Sequence, residues 1–196
     1  MKRITPLKSF LLLLYLTTSL YYVIRITQGN PLSLETLLLS LIGCILIGSL
    51  FYLAYFDLKE MSVHNIISLI LMLFLFLLNL SIYFTKGSEY SILIGNNFVF
   101  SPYQNFLSTI ILGSISQLIV LVTKEKALGL GDVRIAIICG LLIGYQNLFL
   151  WTNITVFSAL FYGLILVIKK KRFKGIKIPF VPFMVLGVII ILLLKV

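Results

Sequence analysis

At 196 residues, with 60% hydrophobic and only 11% charged residues and a mean hydropathy of +1.13, the chain has too little polar surface to cover a soluble globule. Its apolar runs are long and do not alternate, which excludes a β-barrel and a large soluble domain and leaves an all-α polytopic membrane protein, a bundle of about seven transmembrane helices. The formal charge of +10 does not require nucleic acid, because basic residues in such a chain act first as topology determinants.

The chain opens on Lys2, Arg3 and Lys8, followed by an apolar run over residues 9–24. Nothing after that run resembles a signal-peptidase site, so it is read as a first span rather than a cleaved signal. Residues 25–33, with Gly29 and Pro31, predict a turn. A second span over 34–56 delivers the chain to Asp57-Leu58-Lys59-Glu60, and a third covers 63–84. Two short apolar runs, 92–94 and 98–100, flank the Asn96-Asn97 pair and fit a small hairpin or surface loop. Span four, 106–123, ends in Lys124-Glu125-Lys126. Span five, 133–143, is short and carries Gly140 and Gly144, a G-x-x-x-G pair suited to close helix packing. Span six, 148–168, ends in KKKRFKGIK at 169–177, and 178–194 forms the last span. Cys44 and Cys139 both fall inside apolar runs without CxxC spacing, so free thiols are expected and neither a disulfide framework nor a zinc site.

With the amino terminus in the cytoplasm, thirteen of the sixteen basic residues fall on the cytoplasmic side and only Arg25, Lys86 and Lys195 on the other. That is the asymmetry of the positive-inside rule for seven spans. The 169–177 cluster would also lie against anionic lipid headgroups.

Only two aspartates occur, Asp57 at the end of span two and Asp132 at the start of span five. Two crossings separate them, so both return to the cytoplasmic boundary. Singly, each has a plain reading: Asp132 as an N-cap and Asp57 as a solvated charge beside Lys59. Together, on one face of a chain that can ill afford carboxylates, they fit a pair that shares a proton, one as base and one as acid, and activates water. His64 is the only histidine and has no second nitrogen or sulfur ligand near it in sequence, so it is read as a packing or interfacial residue; no metal and no cofactor are expected.

The segment DLKEMSVHN, from Asp57 to Asn65, resembles the D-x5-[apolar]-P-N segment of type IV prepilin peptidases. GLGDVR, from Gly129 to Arg134, resembles their GxGD-[apolar]-[KR] motif, and IPFVPFMVLG, at 178–187, their closing IPF-x-PF segment. The resemblance implies a membrane aspartic endopeptidase that removes the short basic leader from type IV pilin-like precursors on the cytoplasmic side of a bacterial plasma membrane. Asp57 and Asp132 match its catalytic pair. Lys59, Asn65, Gly129, Gly131 and Arg134 match motif positions with supporting roles, the glycines keeping the approach to Asp132 open and Arg134 holding a lipid phosphate or tuning the acid beside it. The chain then divides into an N-terminal span and turn, 1–33, and a membrane-embedded peptidase domain, 34–196.

His64 stands where the family usually has proline. Many relatives also carry a cytoplasmic domain with paired CxxC motifs after the first span, associated with methylating the new amino terminus; here about nine residues lie between spans one and two. The resemblance therefore implies a short, peptidase-only form, of the kind used by competence pili or a dedicated pilin secretion locus. Two other classes fit part of the pattern: a small transporter or pilus-assembly subunit with intramembrane acids, and a presenilin-like protease, which shares GxGD but has a Tyr-Asp pair where this chain has Phe56-Asp57.

Overall fold

The computed structural model describes residues 5–29, 34–94, 98–171 and 178–195. The expected turn at 30–33, the Asn96-Asn97 pair, Lys2, Arg3 and most of the 169–177 basic run lie outside the described residues. Seven helices appear in the described chain: α1 (Thr5–Gly29), α2 (Leu34–Glu60), α3 (Asn65–Lys86), α4 (Pro102–Thr123), α5 (Leu130–Ile143), α6 (Tyr145–Lys170) and α7 (Val181–Lys195). Between α3 and α4 two three-residue strands, β1 (Ile92–Ile94) and β2 (Phe98–Phe100), pair antiparallel, with Leu93 opposite Val99. The hairpin expected from the flanking apolar runs is present.

The protein is an all-α polytopic membrane protein. Ser40–Glu60, Asn65–Lys86, Pro102–Thr123 and Tyr145–Lys169 are each long and apolar enough to cross a bilayer, and Lys8–Ile24 and Val181–Leu194 are shorter apolar helices. Large apolar side chains such as Ile110, Phe149 and Phe161 point outward, as hydrocarbon contact allows. Several boundaries differ from expectation: α4, α5 and α6 begin three or four residues early and α7 three residues late. Residues 25–29 continue α1, and α2 runs on through Asp57 to Glu60, because a charged turn ends an apolar span without ending the backbone ladder.

The fold is built around α5. It has only 14 residues, about 21 Å at the usual helical rise, and it packs against α3, α4, α6 and α7. Ile135, Ile138, Cys139, Leu141 and Ile143 are all inaccessible or nearly so. Apolar burial gives helices little reason to associate in lipid, so close backbone approach and interhelical hydrogen bonds have to hold them. Both are present along α4 and α5. A Cβ on Gly140 would sit 2.8 Å from the Thr109 Cα, and one on Gly144, where φ is +70°, would sit 3.0 Å from Asn105 Oδ1. The G-x-x-x-G pair thus abuts α4. Ser108 Oγ donates to the Gly140 carbonyl, Asn105 Nδ2 to Asn79 Oδ1 at 2.8 Å, and Asn79 Nδ2 to the Leu141 carbonyl at 3.4 Å.

The last helix is tied into this frame from two sides. Trp151 Nε1 on α6 donates to the Met184 carbonyl at 3.0 Å, and Tyr21 on α1 donates to the Leu193 carbonyl at 3.1 Å. Cys139 is buried on α5 and Cys44 half-buried on α2, and both are free.

Candidate active site

Asp57 lies in the last turn of α2 and is buried. After Glu60 the chain reverses through Met61, whose φ of +51° is left-handed, and re-enters helix at Asn65 with His64 as the extended N-cap of α3. The helix carrying Asp132 begins at Leu130, with Gly129 as its N-cap. Asp132 is therefore the third helical residue and not the cap that its place after two glycines suggests. Its carboxylate reaches back, Oδ2 accepting the Gly129 N–H at 3.0 Å, while the Gly129 carbonyl accepts the Asp132 N–H at 3.0 Å. This is the reciprocal arrangement that satisfies free amides at a helix start and favours an acid there.

The two aspartates meet in one place. A cavity of about 660 Å³ at this end of the bundle is lined by both, together with Gly129, Gly131, the Met61–Asn65 turn and Phe56. The charge of Asp132 acts on Asp57. Among the described residues neither is in a salt bridge. Both are held by backbone amides instead. Asp57 Oδ2 accepts the Val181 N–H at 3.1 Å, from the start of α7. Backbone donors orient a carboxylate without neutralising it, and that keeps a proton-transfer group in service.

The supporting residues separate. Asn65 lines the cavity and its Oδ1 accepts from Arg134 Nη1 at 3.1 Å, which joins the start of α3 to the start of α5. Gly131 lines the cavity and also packs closely: a Cβ there would lie 2.8 Å from both the Cβ and Cγ2 of Val63. Gly129 has room, since its nearest neighbour at that position would be Asp132 Oδ2 at 3.5 Å. His64 packs edge-on against Phe56 and Tyr52, with ring centroids 5.1 and 6.2 Å away. Lys59 is outside the cavity lining and pairs with its neighbour Glu60 at 3.1 Å, both well exposed. Such pairs contribute little. Lys59→Ala is accordingly expected to leave turnover within about threefold of wild type, as read by initial rates in detergent or liposomes.

Residues 44–164, well over half of the chain, match the type IV leader peptidase family. The chain belongs to that family. It is therefore a membrane peptidase, a hydrolase, and its only two aspartates line one cavity. The match ends before α7, so the contribution of Val181 lies beyond it. The comparison with curated proteins gives no match, and neither does that with solved structures.

What the sequence did not reveal about this peptidase is the support that Asp57 receives from the start of α7. The IPFVPF segment has no acid, base or nucleophile, yet its backbone holds Asp57. A signal was present: Pro179 and Pro182 lack a main-chain donor and bracket Phe180 and Val181, which have one.

Proposed function

We propose that this peptidase is a prepilin leader peptidase, an aspartic endopeptidase that cuts the short basic leader from type IV pilin-like precursors at the cytoplasmic face of a bacterial membrane. The observation that carries this reading is that Asp57 and Asp132, from different helices, line one cavity, each held by a main-chain amide. Two carboxylates that share a site do not both stay ionised. The ionised one takes a proton from water, which attacks the scissile carbonyl carbon. The protonated one donates to the carbonyl oxygen, and the returned proton leaves with the amine as the peptide bond breaks.

The orientation is supported by charge. Lys59, Lys124, Lys126 and Arg134 belong to the helix ends and loops at the aspartate end of the bundle, and Lys8 of α1 reaches the Tyr55 ring there at 5.6 Å. A basic end is the cytoplasmic end under the positive-inside rule, and the same residues favour an anionic lipid surface.

The test is reconstitution of the purified protein in liposomes with a type IV pilin-like precursor, read by the mass of the product. Loss of the leader at one site is the expected result. An intact precursor together with solute uptake into the same liposomes would replace this reading with that of a transporter.

A further inference from the structure

We propose that the main-chain amide of Val181 is a positioning group for Asp57, and that the start of α7 exists in its present form to supply it. The proposal rests on the reading of Asp57 as one of the catalytic pair.

The first four amides of any helix have no partner within it. In α7 the Phe180 carbonyl accepts from Phe183 N at 3.1 Å and Met184 N at 3.3 Å, so Phe180 is the N-cap and Val181 the first helical residue. Pro182 has no N–H. Of the first four residues of α7, only Val181 keeps an amide uncommitted to its own helix, and that amide is directed at Asp57 Oδ2 at 3.1 Å. Val181 is wholly inaccessible to solvent, so water does not compete for its amide.

Asp57 needs such a donor because of where it sits. It occupies the last turn of α2, the end of a helix where exposed carbonyls disfavour a negative charge. The positive end of α7 offsets that. Holding Oδ2 also fixes the rotation of the carboxylate relative to the cavity it shares with Asp132. A small error in that rotation matters, since misplacement on the scale of an ångström costs an enzyme about 100-fold in rate.

Val181→Pro removes the donor at the helix position that tolerates proline best. Val181→Ala keeps the amide while losing more of the side chain. In the reconstituted full-length protein, Val181→Pro is expected to lower kcat about 10- to 100-fold with KM within about threefold. It should also move one limb of the pH–rate profile to higher pH and leave the other in place, because a carboxylate that loses a donor to its charged form is harder to ionise. Val181→Ala should keep the wild-type profile. A Val181→Pro enzyme with wild-type kcat and profile overturns the proposal. So does an equal loss in both variants with no movement of either limb, which would mark a packing role. If Val181→Pro fails to insert, an ester bond in place of the Val181 amide removes the same hydrogen and is judged by the same criteria. Asp57→Asn keeps the two ideas apart: full activity in that variant defeats the catalytic reading itself, whereas an inactive Asp57→Asn beside an unaffected Val181→Pro defeats only the role of the amide.

Discussion

Asp57→Asn and Asp132→Asn are each expected to reduce leader cleavage by about 10²- to 10⁴-fold, the range by which a positioned acid or base accelerates proton transfer, while leaving the protein folded. The structure explains why fold and activity should separate. Asn at 132 still offers an amide oxygen to the Gly129 N–H, and Asn at 57 still offers one to the Val181 N–H. The backbone contacts survive and only the titratable proton is lost. Trp151 is the sole tryptophan and is buried where α6 meets α7, so its fluorescence and thermal unfolding report directly on the helix that holds Asp57. The expected outcome is an unchanged emission spectrum and uncut precursor by mass. Wild-type cleavage by either variant would remove that aspartate from the mechanism. The wild-type rate should be bell-shaped in pH, since one carboxylate has to be ionised and the other protonated.

Much of this architecture was legible from hydropathy, because an apolar run of about 20 residues has no other way to satisfy its backbone in lipid. Span ends were less legible. Asp57-Leu58-Lys59-Glu60 reads as the start of a loop on polarity, yet polar residues are good helix formers at a membrane surface and α2 continues through them. Asp132 reads as a cap because two glycines precede it, but Gly131 is itself helical and the cap is Gly129. That both acids lie on one membrane face follows from counting crossings. That they share one cavity does not, because it depends on how the ends of α2, α5 and α7 approach. The part of Val181 was hidden for a different reason: a main-chain donor has no residue-type signature, and only its neighbours' prolines point to it.

Gly131 offers the second large effect, and it separates packing from openness as the reason for a glycine before Asp132. A methyl group at 131 would lie 2.8 Å from two carbons of Val63, a distance that one of the two has to relieve by moving. Val63 belongs to the turn that carries His64 and Asn65, and this turn lines the cavity together with Asp132. Gly131→Ala is therefore expected to cost about 1–3 kcal/mol of stability, the usual penalty for overpacking, and to lower kcat by about 10- to 100-fold through displacement of the turn and the Arg134–Asn65 contact. Gly129→Ala is the contrast: its φ is −89° and its nearest neighbour would be 3.5 Å away, so turnover should stay within a few-fold of wild type. The decisive measurement is a double-mutant cycle with Val63→Ala. If contact with Val63 is what Gly131 avoids, trimming Val63 restores most of the activity lost in Gly131→Ala, and the coupling between the two sites is large for residues in direct contact. If the losses simply add, Gly131 acts on Asp132 through the backbone of α5, and the turn plays no part.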